Sequence, residues 1–233
     1  MRTREAALAA CFASLYAASW SLNLFPVIGA HGRFITASSV LSPILGVVLG
    51  PVVGTLTATV GGLVGSVVTG AGAFGPLSFI PGAATALCSG LLSAGRKKTC
   101  IAVYVALLMA FALYPRVGPL WLYPQFLWFQ FLGVPSLAVV DGAAMLSGGT
   151  KKSVIHLSAA FFASTLFGHI SGCLLFEATY WPWLIPSPGA WRAIWKPLTW
   201  IYPVERILIT VVSVLVGVPT VKALNALGIK ISR

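Results

Sequence analysis

A small set of ionisable side chains lies within or beside the long apolar stretches of this sequence, where they could bind an ion or a polar ligand. They are Asp141, His156, His169, Glu177, Glu205 and Arg206. A charged group in an apolar environment is costly, so each is a candidate functional group. Asp141 and His156 lie near Lys151 and Lys152, and a local ion pair also explains them. The pair Glu205–Arg206 has two interpretations, a structural pairing or a pocket that opens outward.

The spacing of His169, Cys173 and Glu177 places these three side chains near one face of a helix. Two of them could serve as metal ligands, with the third nearby. The sequence has no H-E-x-x-H pattern, however, and ordinary helix packing explains the same spacing. We therefore predict no metal ion and no cofactor.

The composition determines the class of protein that must position these groups. Of the 233 residues, 58% are hydrophobic and 8% are charged, whereas about 25% are charged in an ordinary soluble domain. The mean hydropathy is +0.94. So few charges cannot cover a water-soluble fold, so we predict an all-α polytopic transmembrane helix bundle with short loops, forming a single domain over 1–233. The net charge of +11 fits basic residues that flank membrane segments and does not call for a nucleic-acid partner.

Apolar runs separated by Gly, Pro and charged residues predict six to eight membrane segments. The long run 34–69 contains Gly50–Pro51, and proline both lacks a backbone donor and disfavours helix at the preceding residue. We therefore expect two short segments in that run, 34–49 and 52–69. The other segments are expected at 6–25, 77–94, 100–114, 126–146, 153–175 and 204–224, with a Trp- and Pro-rich loop at 178–203.

The basic residues predict the orientation of these segments. If the run 34–69 is split and the N-terminus is inside, most of the basic residues fall on the cytoplasmic side, including the cluster Arg96–Lys98 and the pair Lys151–Lys152. This agrees with the known excess of Lys and Arg in cytoplasmic loops. We expect a multi-pass protein of the cell membrane with both termini in the cytoplasm.

Small residues recur at every fourth position in two parts of the chain. One series lies between Gly46 and Gly70, and we interpret it as close helix packing inside the bundle. Two rows lie in the first segment, and they fit either internal packing or a docking face for another membrane protein. These rows are Ala6, Ala10, Ser14 and Ala18, and Ala9, Ala13, Ala17 and Ser21. The aromatic residues of 180–202 similarly fit either an interfacial belt or a lid over a planar ligand.

Several of these stretches together resemble the substrate-binding S component of energy-coupling factor (ECF) vitamin transporters. The stretches are AALAACFASLYAA, FPVIGAHGR, SSVLSPILGVVLGPVVGTLTATVGGLVGSVV, GPLSFIPGAATALCSGLLSAG, the cluster RKK and the closing VERILITVVSVLVGVPTVKAL. The resemblance covers residues 5–98 and, more loosely, 204–224. Members of the family usually have six spans, so 121–175 would form an extra helical hairpin.

The resemblance implies that the chain, which is not itself an enzyme, binds a vitamin or related micronutrient from outside. The complex then docks on a membrane coupling subunit that carries two ATPase subunits. By analogy with the family, the docking face would consist of Ala6, Ala10, Ala13, Ser14 and Ala17. The substrate-binding residues would be Asn23, His31, Arg33, His169, Glu177, Trp191, Glu205 and Arg206.

Other functions remain open at this point. A self-contained secondary transporter or channel would move its substrate without partners, a membrane-embedded enzyme would need convergent His or acidic groups, and a structural subunit would have no pocket. The sequence has neither a G-x-x-x-x-G-K-[ST] nor a G-x-S-x-G pattern, and its few acidic residues argue against an enzyme. Arg33 and Arg206 would suit an anion and the Trp residues a ring, but both are also ordinary residues of a membrane interface.

Overall fold

The computed structural model describes residues 3–30, 32–70, 72–147 and 150–228, and these form a nearly all-α fold. The helices are α1 (Thr3–Ser19), α2 (Ser38–Thr69), α3 (Ile80–Ser93), α4 (Lys97–Ala112), α5 (Pro119–Leu122), α6 (Trp128–Phe131), α7 (Gly133–Val139), α8 (Gly142–Met145), α9 (Lys151–Tyr180) and α10 (Pro188–Ala226), with 3-10 helices at Gly75–Phe79 and Pro124–Leu127.

Within the described residues, four segments are long and apolar enough to span a membrane. They are Ser38–Thr69, Gly75–Ser93, Lys151–Tyr180 and Pro188–Ala226. The helical class is therefore as predicted and fits a membrane protein, whereas the predicted count of six to eight segments is not confirmed.

Helix α2 is broken at Gly50, as the Gly50–Pro51 dipeptide predicts. Gly50 has φ 79° and ψ 176°, a conformation that is essentially confined to glycine. Beyond this break the chain folds back on itself, because a Cβ added at Gly54 would lie 2.6 Å from the carbonyl oxygen of Leu45. Residues 38–49 and 51–69 therefore form a tight helical hairpin.

The glycine series packs helices against one another inside the bundle, as predicted. A Cβ at Gly46 would lie 2.0 Å from the carbonyl oxygen of Ala86, so α2 and α3 are in backbone contact there. Gly62, another member of the series, would place a Cβ 2.8 Å from the Cβ of Phe79. Its neighbour Gly61, which is outside the series, would place one 2.6 Å from the carbonyl oxygen of Ala13 on α1. Close approach of this kind is what small residues allow in membrane helices.

Between α1 and α2 the chain forms a two-stranded antiparallel hairpin of β1 (Asn23–Pro26) and β2 (Phe34–Thr36). Asn23 lies opposite Thr36 and Pro26 opposite Phe34. The predicted membrane segments 6–25 and 34–49 included most of these two strands, and that prediction is wrong at 23–25 and 34–36. Neither strand is long enough to show alternation of apolar and polar residues.

The stretch 126–146, predicted as one membrane segment, is instead a series of short helices. Leu132 keeps a helical backbone between α6 and α7, whereas Val140 is extended before Asp141 caps α8 through its side chain. Gly133, Pro135 and Gly142 lie in this stretch, and such residues weaken a continuous helix. The first half of the predicted hairpin 121–175 is therefore irregular, whereas its second half belongs to the long helix α9.

The predicted Trp- and Pro-rich loop at 178–203 is wrong, because α10 already begins at Pro188. Trp191, Trp195, Leu198 and Tyr202 are buried and recur at helical spacing, so one face of this region packs on the bundle. Burial of such large side chains offsets the backbone hydrogen bonds lost at the internal prolines. Only 181–187 remain outside α9 and α10.

The outer surface of the bundle is apolar along whole helices. On residues 51–69 the exposed side chains Val52, Leu56, Val60 and Val64 follow one another at every fourth position. On α10 the exposed apolar side chains are Val204, Ile207, Leu208, Val211, Val212, Leu215 and Val216. Apolar faces of this extent fit contact with lipid chains.

Candidate functional site: a polar cavity inside the bundle

A cavity of about 150 Å³ lies within the bundle. Its walls come from α1, the β hairpin, the first part of α2, the Gly75–Phe79 turn, α3, α9 and α10. The wall is formed where α1 packs on α2, α3 on α9, and α10 on both α9 and α2. Residues distant in sequence are thereby brought together around one cavity.

One wall carries hydroxyl groups that fix one another. Ser42 Oγ donates to the carbonyl oxygen of Ser38 at 2.9 Å, and it lies 2.9 Å from the hydroxyl of Tyr16. Since the single proton of Ser42 is used, Tyr16 donates to Ser42 and keeps its own lone pairs available. The hydroxyls of Thr36 and Ser38 are 2.8 Å apart. This wall therefore offers ordered hydrogen-bonding groups to a bound molecule.

The opposite set of polar groups comes from α9 and α10. His169 and Tyr202 form an edge-to-face pair with their ring centroids 4.6 Å apart. The guanidinium carbon of Arg206 lies 5.3 Å from the centroid of the same Tyr202 ring, a cation–π arrangement. Arg206 Nη2 is also 3.4 Å from Glu205 Oε2. Tyr202 thus contacts both the imidazole of His169 and the guanidinium of Arg206, which lie close together in the cavity.

Gln130, a buried residue of α6, contacts His169. Its amide fits its neighbours best with the nitrogen toward the carbonyl oxygen of Phe126, at 2.6 Å. The amide oxygen then faces His169 Nε2, and the two side chains are 3.4 Å apart. In this arrangement His169 donates from Nε2, which leaves Nδ1 as an acceptor.

Three buried polar atoms on residues that line the cavity have no hydrogen-bond partner. They are Trp20 Nε1, Thr165 Oγ1 and Arg206 Nε. An unpartnered buried polar group costs about 1–3 kcal/mol, and most such groups in proteins are satisfied. Each of these atoms has almost no accessible surface, so it lies within the packing behind the cavity wall and not on the wall itself.

Of the predicted substrate-binding residues, His169 and Arg206 line this cavity. Glu205 is buried behind Arg206 and pairs with it. Trp191 is fully buried and packs on Phe176 and Trp195, with ring centroids 5.2 Å and 5.5 Å away. Both of these neighbours line the cavity, so Trp191 supports its wall.

The remaining predicted binding residues lie elsewhere. Asn23 is exposed at the start of β1, and Arg33 is exposed and donates to the carbonyl oxygen of Gly70. Arg33 lines a separate cleft within the hairpin loop. Glu177 is fully buried, away from the cavity lining, and neither of its carboxyl oxygens has a partner. His31 lies outside the described residues.

The predicted docking residues of α1 divide between two faces. Ala6, Ala10 and Ser14 are exposed, and with Ala18 they form one continuous small-residue row. Ala13 and Ala17 are half-buried, and the backbone of Ala13 contacts α2 at Gly61. The row that contains Ala13 and Ala17 therefore packs against the bundle, and the other row is exposed.

The sequence analysis missed most of the hydroxyl and aromatic groups of the cavity. Tyr16, Trp20 and Thr165 stand singly in apolar runs, where such residues are common. The signal that could have been used is the cluster Ser38, Ser39 and Ser42 at the start of an otherwise apolar stretch. Among the residues that the structure describes, no group of three His, Cys, Asp or Glu side chains could hold a metal ion, so His169, Cys173 and Glu177 do not form such a site.

No family model matches this chain, and neither does any curated protein or any solved structure.

Proposed function

We propose that this chain binds a small organic molecule from outside the membrane and serves as the substrate-specificity subunit of an ATP-driven uptake system of the ECF type. The observation that carries the proposal is the cavity, which is lined by the hydroxyl groups of Tyr16, Ser38 and Ser42 and by the ionisable side chains of His169 and Arg206. A purely structural bundle has no need to gather polar and ionisable side chains around an open space within its apolar packing.

The position of the cavity supports entry from the outer side. The hairpin β1–β2 forms part of its wall, whereas the basic cluster Arg96–Lys98 and the pair Lys151–Lys152 precede or begin helices at the opposite end of the bundle. If these basic residues face the cytoplasm, as is usual for membrane proteins, the hairpin end faces outward. Both termini are then cytoplasmic in this proposal.

Partner subunits would supply the energy for uptake. The chain has no G-x-x-x-x-G-K-[ST] pattern with which it could hold ATP by that route. The exposed row Ala6, Ala10, Ser14 and Ala18 offers a smooth surface against which another membrane helix can pack closely. We assign this row to contact with a membrane coupling subunit that is bound to two ATPase subunits.

The test is mass spectrometry of the small molecules released from the purified protein, reconstituted in lipid nanodiscs. We expect one organic compound in near-stoichiometric amount. Recovery of lipid alone, combined with no binding of any small organic compound in a calorimetric screen, would contradict the proposal. Uptake of the compound into vesicles that contain this chain alone would instead support a self-contained transporter.

Enlarging the exposed row of α1 should separate binding from uptake. In the double variant Ala10→Leu/Ser14→Leu we expect uptake to fall about tenfold or more, because bulky side chains hold apart helices that rely on small residues. Binding should be unchanged, since neither residue lines the cavity. Uptake is measured in cells that make the chain together with its coupling and ATPase subunits.

The matched control is Val64→Leu, which enlarges an exposed apolar side chain on another helix. This control should leave both uptake and binding unchanged. Normal uptake by the Ala10→Leu/Ser14→Leu variant would rule out the assigned docking row.

A further inference from the structure

We infer that the ligand is a single-ring organic acid, bound as its carboxylate anion with the carboxylate at Arg206 and the ring between aromatic walls. This inference rests on the proposed function, because it names the class of molecule that the same cavity would take. Three properties of the cavity support this inference, namely its size, the nature of its walls and its charge.

The size of the cavity suits a ligand of about one ring. An apolar cavity of about 150 Å³ can hold benzene, and the cavity here has a volume of about 150 Å³. Two fused rings, or a ring bearing a long chain, would have to extend out through the opening of the cavity. A single ring is therefore the ligand that the interior space matches.

The walls favour a flat ring. Phe74, Phe176, Trp195 and Tyr202 all line the cavity. They are fixed by one another and by their neighbours, since Phe74 and Phe176 form an edge-to-face pair with centroids 6.5 Å apart and Trp195 donates to the carbonyl oxygen of Val117 at 3.0 Å. Rigid aromatic faces and edges bind planar rings well, because the contact costs little side-chain entropy.

The charge of the cavity favours an anion. Of the described residues that line it, Arg206 alone carries a formal charge, and its side chain is only 9% exposed. No described carboxylate lines the cavity, so a cationic ligand would find no counter-ion there.

Arg206 retains capacity for a carboxylate although Glu205 is beside it. Glu205 Oε2 lies 3.4 Å from Nη2, which is longer than the roughly 2.7–2.9 Å of a strong charge-assisted hydrogen bond. A guanidinium group presents five donors, and planar carboxylates match two of them at once. Glu205 therefore holds the guanidinium in place and leaves donors for the ligand.

The hydroxyl wall fits an acid whose ring carries an acceptor. Thr36 and Ser38 both line the cavity, and their hydroxyl oxygens are 2.8 Å apart. The hydrogen bond between them uses one of their two hydroxyl protons, so the pair keeps a proton to donate. A ring with an acceptor atom can use this donor, so heterocyclic acids are favoured over purely hydrocarbon ones.

The test compares acids with their amides, which have nearly the same shape but no charge. Isothermal titration calorimetry on the nanodisc-reconstituted chain would use benzoate and pyridine-3-carboxylate, each beside the corresponding carboxamide. We expect the acids to bind about tenfold or more tightly than the amides, because hydrogen bonds to a charged group are the stronger ones. We also expect pyridine-3-carboxylate to bind more tightly than benzoate.

The variant Arg206→Gln should bind acid and amide equally, whereas the control Arg192→Gln, at an exposed position near the start of the same helix, should keep the preference. The comparison in the wild-type chain needs no variant and stays decisive if Arg206→Gln does not fold.

Equal binding of acids and amides by the wild-type chain would overturn the inference, and so would a preference that persists in a folded Arg206→Gln variant. Absence of binding by both acids would also overturn it. A compound released from the purified protein in that case, whether neutral, cationic or larger, would leave the proposed function standing. If no compound is released and no small molecule binds, the proposed function itself is contradicted.

Discussion

The substitution Gly46→Val should abolish the folded bundle. The Cβ of the new side chain alone would lie 2.0 Å from the carbonyl oxygen of Ala86, 2.1 Å from Ser89 Oγ and 2.7 Å from the backbone nitrogen of Gly90. Two of these atoms belong to the backbone of α3, so the clash cannot be relieved by a rotamer change. Overpacking of a core costs about 1–3 kcal/mol where side chains can adjust, and we expect more than about 3 kcal/mol here.

The measurement is the yield of monodisperse protein in size-exclusion chromatography, with thermal unfolding of whatever fraction remains. A matched pair, Gly46→Ala and Gly189→Ala, separates packing from helix propensity. Alanine is about 1 kcal/mol better than glycine within a helix, and a Cβ at Gly189 meets only Ser187 Oγ, at 3.5 Å. Gly189→Ala should therefore unfold at the wild-type temperature or above it, and Gly46→Ala below it. A Gly46→Val protein as stable as the wild type would show that α2 and α3 are not packed in this way.

Filling the cavity should abolish ligand retention while the fold persists. In Cys173→Phe a ring would replace a small buried side chain that lines the cavity, on the turn after His169. The ring can occupy space that is empty in the wild-type chain, so the helices need not move apart. We expect the affinity to fall at least about a hundredfold, because the substituted ring takes most of the volume that a ligand needs.

The readout is the amount of small molecule that co-purifies per mole of protein, measured by mass spectrometry, beside the thermal unfolding temperature. Cys11→Phe makes the same change at an exposed position on α1 and should retain the wild-type amount. If Cys173→Phe folds and still carries the compound in full, the cavity is not the binding site. If it loses both compound and fold, Thr165→Phe provides a second blocking variant on the same wall.

The parts of the fold that follow from local sequence were predictable. The apolar composition indicates membrane helices, and the Gly50–Pro51 dipeptide indicates a break because proline and a glycine-only backbone angle act on the chain locally. The parts that depend on tertiary packing were not predictable. The helical region around Trp191 and Trp195 contains prolines that argue for a loop, and only burial of those rings against the bundle makes the helix favourable.

The candidate site likewise combines residues that the sequence predicts with residues that only tertiary packing brings together. His169 and Arg206 stand out in the sequence because an ionisable group in an apolar run needs an explanation. Tyr16, Trp20 and Thr165 belong to types that membrane helices use throughout, so their convergence on one cavity appears only when the helices are assembled. Asn23 was chosen by position within the resembling family, and the structure places it on an exposed strand instead.

Because of the break at Gly50, the bundle contains helices of very different lengths. Residues 38–49 span about 18 Å and the 14 residues of α3 about 21 Å, whereas the 30 residues of α9 span about 45 Å. The hydrocarbon core of a bilayer is about 30 Å thick. The short helices have no exposed residue, so they lie inside the bundle and the lipids contact other helices, chiefly α10. A helix longer than the hydrocarbon core accommodates the difference partly by tilting, so the tilt of this protein in the bilayer should decrease as the lipid chains lengthen.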